Sequence, residues 1–152
     1  MFELIRSITI DVESARASGE ALVKSDHPLF ADHFPGTTLL PGSLIIELAA
    51  QIAGPLAEEV TKSRTSMDRW AILGMIRDAR FIQPVLLPAQ LIITAEVSRA
   101  ETSSVSTDVT VAVNEDTVMR AELVMMMIEA AAEWEEAIRA RNQRLARLKG
   151  AQ

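Results

Sequence analysis

Two ionisable side chains are placed where their type and surroundings point to proton transfer. Glu47 lies in the most apolar stretch of the chain, SLIIELAAQIAG. An unpaired carboxylate is heavily penalised in such a setting, and burial there favours the neutral acid. A carboxylic acid that keeps its proton near neutral pH is what a general acid requires. The alternative is a hydrogen bond to Gln51, one turn further along the same helical face, or to a backbone donor. His33 belongs to the loop SDHPLFADHFPGTTLLPG, where three Pro and two Gly restrict the backbone. An imidazole held there is either a base working near neutrality or a hydrogen-bonding turn residue. His27, just before Pro28, reads as the second kind.

Pro41-Gly42 opens the apolar stretch. Gly42 lets another molecule approach the backbone, and the first N–H groups of a helix are free to hold a carbonyl oxygen that gains negative charge. The plain alternative is a helix start with Ser43 near its cap. No GxSxG elbow surrounds Ser43, which speaks against a nucleophile. A metal site has little support, because the two His stand six apart in one loop and the chain has no Cys.

These residues must be positioned by a chain of 152 residues that is 49% hydrophobic and 24% charged, the composition of one folded domain. The absence of Cys excludes disulfides and thiolate chemistry. A net charge of −6 opposes binding to nucleic acid. Residues 39–57 are interrupted by Pro41, Glu47, Gln51 and Pro55, so no bilayer-spanning helix is expected, and the N-terminus lacks a signal-peptide pattern. The expected location is the cytoplasm.

Residues 3–13 alternate as a half-buried strand with Ile8, Ile10 and Val12 on one face. Ser18-Gly19 reads as a turn into a short strand over 20–24. From Pro41 to near Lys62 the sequence predicts a helix of about five turns. Its apolar residues cover most of its circumference, so it should be enclosed on nearly all sides, with Gly54-Pro55 as a candidate kink. Strands are expected over 70–81, 90–99, 103–114 and 117–128, forming an antiparallel meander with a hairpin turn at Asn114-Glu115-Asp116. The class is α+β, an antiparallel β-sheet wrapped around a long central α-helix, with an extra C-terminal helix. Residues 1–130 form the single domain and 131–152 a helical extension with acids first and bases last.

The run His33-Phe34-Pro35-Gly36, Leu40-Pro41-Gly42, Leu44-Ile45-Ile46-Glu47 and Ala50-Gln51 resembles the signature of the FabZ-type (3R)-hydroxyacyl-[acyl-carrier-protein] dehydratases. Arg77-Asp78-Ala79-Arg80-Phe81, followed by Pro84-Val85 and Pro88, is similar to that family's strand after the helix. The resemblance spans about residues 26–128. It implies a hot-dog fold and a homodimer as the minimal active unit, often assembled into a trimer of dimers, with the histidine of one subunit facing the acid of the other. It implies that His33 and Glu47 are catalytic, with glutamate favouring the FabZ-like branch over the FabA-like dehydratase-isomerases. The Gly42 N–H would bind the thioester carbonyl, and Gln51, Phe34 and Pro41 would support the site. The implied reaction is loss of water from a 3-hydroxyacyl thioester in fatty-acid or polyketide/polyene-type biosynthesis. No cofactor or metal is implied, because the substrate arrives on the phosphopantetheine of an acyl carrier protein. The chain departs from the pattern in having no Tyr, in Asp32 before the histidine, in Thr37-Thr38-Leu39-Leu40, in Ser43 and in Pro88-Ala89-Gln90. A hot-dog thioesterase, a non-catalytic acyl-binding module and a heterodimer partner are the competing readings. The basic C-terminal helix is either a docking surface for an acidic carrier or a packing helix.

Overall fold

The computed structural model describes residues 3–30 and 36–150. Six strands, β1 (Ile5–Asp11), β2 (Arg16–Val23), β3 (Trp70–Phe81), β4 (Ala89–Ala100), β5 (Ser104–Val113) and β6 (Asp116–Ile128), form one antiparallel sheet in the order β1-β2-β4-β5-β6-β3. Helix α1 (Gly42–Thr65) packs on its inner face, and α2 (Glu135–Lys149) follows β6 after a short 3-10 turn, Ala132–Trp134. This is the hot-dog fold. Among the described residues no helix is long and apolar enough to cross a membrane.

The strands curl around α1 because their inward residues alternate cleanly with outward ones, most regularly in β2 and in the first half of β4. Leu48, Ile52 and Leu56, along one stripe of α1, are wholly buried against Leu91, Ile93, Val105 and Leu123 of the sheet. Truncating any one of the three to Ala would cost about 2–5 kcal/mol by the cavity it leaves. Thr107, which breaks the valine parity of β5, is also wholly buried, and its hydroxyl donates to the Leu123 carbonyl at 3.1 Å.

Three sequence expectations change. Ser18-Gly19 is not a turn but the middle of β2. The turn lies at residues 12–15, where the Asp11 carboxylate accepts from the Glu13 and Ser14 N–H groups and the Ser14 hydroxyl, and Ala15 takes a left-handed φ of 53°. Gly19 is there for a close approach: a Cβ would stand 2.3 Å from Cδ1 of Ile52. Glycine at this point lets the helix seat on the strand.

The four later strands are not one meander. Only β4, β5 and β6 run as neighbours; β3 pairs with β6 and forms a sheet edge, while β2 takes the place beside β4. The hairpin between β5 and β6 is as read, with Asn114 and Glu115 both at positive φ, 50° and 70°, the geometry of a tight hairpin turn. Finally, α1 is not enclosed on all sides. Ser43 and Glu47 are exposed and Ala50, Gln51 and Glu58 half-buried, a stripe at helical spacing that faces away from the sheet. The helix runs through Gly54 and Pro55, both buried, to a left-handed cap at Ser66, whose N–H donates to the Lys62 carbonyl.

Candidate active site

The start of α1 is fixed by its neighbours rather than by a side-chain cap. Pro41, at the N-cap, has an extended φ of −60° and ψ of 138° and no side-chain capping bond. Its carbonyl accepts from the Leu44 and Ile45 N–H groups at 3.0 and 3.2 Å. The N–H groups of Gly42 and Ser43 therefore stand at the open, positive end of the helix. A Cβ on Gly42 would lie 2.9 Å from Cε1 of Phe81. Only glycine lets the aromatic ring lie directly on the helix entrance.

Phe81 reaches that position through a bulge. Arg77 pairs with Glu122 and Arg80 with Arg120, so β3 carries one residue more than β6 across this interval. Asp78 takes up the irregularity at a left-handed φ of 50°, a conformation that Asp tolerates better than most residues. The Arg80 guanidinium holds it from two positions, Nε to Oδ1 at 3.1 Å and Nη2 to Oδ2 at 3.2 Å. The motif Arg77-Asp78-Ala79-Arg80-Phe81 thus bends a strand so that its last residue meets the helix.

Glu47 occupies the outward stripe of α1. Its Oε1 accepts from Nε2 of Gln51 at 3.0 Å, the one-turn pairing that the spacing allowed. It is exposed in the protomer, which corrects the expectation of a buried acid. The apolar residues around it in sequence, Leu44, Ile45, Ile46 and Leu48, turn toward the sheet, and Glu47 takes the side the sheet leaves open. Beside Glu47 and Gln51 opens a groove of about 310 Å³, walled by Trp70 and Leu73 of β3 and Met125 of β6 and roofed by Arg144 and Leu145 of α2. The strand edge next to it is apolar and exposed: Ile72, Met75 and Ile76 of β3, with Met126 of β6, are between 39% and 52% accessible.

Sequence reasoning missed the clamp over the second half of α1. Arg141 donates to both oxygens of Glu58, at 2.6 and 2.8 Å, and its guanidinium lies 4.5 Å from the Trp70 ring centroid. Glu58 also accepts from the Ala71 N–H at 2.9 Å, and Lys149 pairs with Glu59. Two of the bases of α2 therefore turn inward, onto α1, which favours the packing role for that helix. The available signal was the adjacent acids Glu58-Glu59 facing a basic tail, a complementarity that local spacing does not reveal. His33, Phe34 and Asp32 lie outside the described residues, whereas Gly42, Pro41, Glu47 and Gln51 come together along the first turns of α1. His27 packs its ring on Phe30, with centroids 5.7 Å apart.

Residues 1–122 match the family model described as FabA-like domain. A relative from Caldanaerobacter subterraneus subsp. tengcongensis, a 3-hydroxyacyl-[acyl-carrier-protein] dehydratase FabZ, is 30% identical over 128 residues, covering 84% of this chain and 89% of its own. Among solved structures, a Streptococcus mutans protein bound to acetyl CoA superposes with a TM-score of 0.64 at 16% identity, covering 84% of this chain and 90% of that one. A hypothetical thioesterase with coenzyme A from Streptococcus pneumoniae gives a TM-score of 0.60 at 13% identity, covering 78% and 83%. At these identities the structural likeness speaks for the fold alone.

Proposed function

The chain belongs to the FabA-like domain family, and from that premise we propose that it is a 3-hydroxyacyl-[acyl-carrier-protein] dehydratase, a hydro-lyase that forms a trans-2-enoyl thioester. The observation that carries the reading is Glu47 on the open stripe of α1, one helical turn and a half from the free N–H groups at Gly42 and beside an apolar groove. That arrangement supplies an acid, an oxyanion donor and a place for an acyl chain on one surface.

In this reading the thioester oxygen accepts from the Gly42 N–H, where the helix dipole favours the charge that develops as C2 loses its proton. His33 takes that proton. The C2 electron pair closes the C2–C3 double bond as the C3–O bond breaks, and Glu47 delivers its proton to the departing hydroxyl, which leaves as water. Gln51 holds the Glu47 carboxyl in register through the hydrogen bond already present. The chemistry needs no metal or redox cofactor.

The active unit is a homodimer, with His33 supplied across the interface. The exposed apolar edge of β3 supports this: an unpaired strand edge carrying Ile72 and Ile76 is a surface that proteins cover. A dimer formed there would also cover Glu47 and raise the power of its proton transfer by excluding water. The acyl carrier protein is the proposed donor of substrate, and fatty-acid biosynthesis the proposed setting.

The test is intact-mass analysis of 3-hydroxyacyl carrier-protein substrates incubated with the wild type and with His33→Ala and Glu47→Gln. Loss of one water in the wild type, abolished in both variants, is the expected result. Release of the free acid would move the assignment to a thioesterase, and unchanged bound substrate to an acyl-binding module.

A further inference from the structure

Helix α2 lies beyond residues 1–122, the part of the chain that matches the family model. It packs against β1 and reaches Trp70 at the start of β3, and these two strands are the opposite edges of the sheet. It therefore bridges the mouth of the fold, crossing the stripe of α1 that the sheet leaves uncovered. Its inward face is made by Ile138, Arg141, Arg144, Leu145 and Leu148, all half-buried at helical spacing.

The groove that starts at Glu47 runs beneath this bridge. Its first section has apolar walls in Gly54, Pro55, Ala71, Leu73, Met125 and Leu145, with Glu47 and Gln51 from α1 and Arg141 and Arg144 from α2 also lining it. Past Pro55, Trp70 and Leu145 it meets a second hollow of about 520 Å³, where the charged Glu58, Glu59, Lys62, Asp68 and Arg69 stand beside the apolar Ala130, Ile138 and Ala146. The boundary between the two is the Arg141–Glu58 pair, a guanidinium gripping both carboxylate oxygens and lying on the Trp70 ring. Glu58 and Arg141 side chains are only 15% and 28% accessible, so the pair is a fixed bar across the groove rather than a mobile surface contact. A hydrocarbon end pressed against it would strip solvent from paired charges without replacing any hydrogen bond.

We infer that α2, through the Arg141–Glu58 bar, ends the acyl groove and limits the protein to acyl chains of short to medium length. The inference rests on the groove at Glu47 being the acyl site of the proposed dehydratase. From Glu47 to Glu58 the helix advances roughly 16 Å, which sets the reach available to the chain. Apolar contact rewards each added methylene up to the bar, and the paired charges stop the chain there.

The experiment is calorimetric titration of the full-length protein with saturated acyl-pantetheine thioesters of increasing chain length, which bind without reacting. Affinity of the wild type should rise by roughly fourfold per methylene and then stop rising at a medium length. Combining Glu58→Gln with Arg141→Met removes the bar without leaving a lone charge, and should move the break to longer chains. Leu145→Trp narrows the first section from the inward face of α2 and should move it to shorter ones; its opposite direction keeps the test alive if the double variant does not fold. A break at the same length in all the variants that fold, no break at all, or no binding at any length would each overturn the inference. Loss of water from a short 3-hydroxyacyl thioester is read separately on the same preparations, so failure of the dehydratase reading is seen independently of failure of the length limit.

Discussion

Glu47 and Glu58 are eleven residues apart on the same helix, about three turns, and so share the stripe of α1 that faces away from the sheet. Their circumstances are opposite. Glu58 accepts three hydrogen bonds, two from Arg141 and one from the Ala71 N–H, and they occupy both its oxygens. Among the described residues Glu47 has one hydrogen-bond partner, Gln51, and otherwise faces the groove. The difference teaches how a carboxylate on a half-covered helix is assigned its task. One is consumed in tying β3 and α2 to α1, while the other is oriented by a single neutral donor and keeps its second oxygen for a substrate.

The largest effect that follows is on catalysis at Glu47. Glu47→Gln should lower dehydration by ~10² to 10⁴-fold while the thermal midpoint stays near that of the wild type, measured by single-turnover kinetics and calorimetry. Glu58→Ala should do the reverse in kind. Removing the carboxylate takes away both Glu58 bonds of the half-buried Arg141 and leaves it Asn142 Oδ1, at a cost of about 1–3 kcal/mol, visible as a lower denaturation midpoint. If Glu58→Ala were neutral in stability, the clamp would be a contact without energetic consequence.

A smaller effect is expected where the helix opens. Gly42→Ala would press a methyl into the Phe81 ring, displacing the ring or the first turn, and should lower turnover by about tenfold with little change in unfolding. The smallest lies at the β1–β2 turn, remote from both carboxylates. The Ser14 side-chain and backbone hydrogen bonds, with a further bond from Glu13, outweigh burial and hold the Asp11 carboxyl below its ordinary 3.8. Because its folded-state value is depressed, its stabilisation is present above that ordinary value and is lost as the pH falls below it. The difference in midpoint between wild type and Asp11→Ala should therefore be greatest near neutrality and shrink in acid.

Much of this was legible in the sequence, for reasons that are local. The helix from Pro41, the strand over 70–81 and the turn at Asn114-Glu115 are written in residues adjacent to one another. What was not legible depends on what lies opposite. Gly19 looks like a turn residue until Ile52 is seen pressed against it. The placement of β3 at an edge is set by pairing with β6, not by its own pattern, although its poor alternation is a trace of it. Glu47 looks buried because its neighbours are apolar, yet their side chains turn to the sheet and leave it outside. The Arg141–Glu58 clamp joins residues 83 apart, and nothing in either segment names the other.

The most direct test of the division between the two carboxylates is to measure dehydration rate and unfolding midpoint side by side for Glu47→Gln and Glu58→Gln in the full-length protein. The first should lose the rate and keep the midpoint, whereas the second should keep most of the rate on a short acyl substrate and lower the midpoint. A Glu47→Gln protein that still removes water at the wild-type rate would contradict this division.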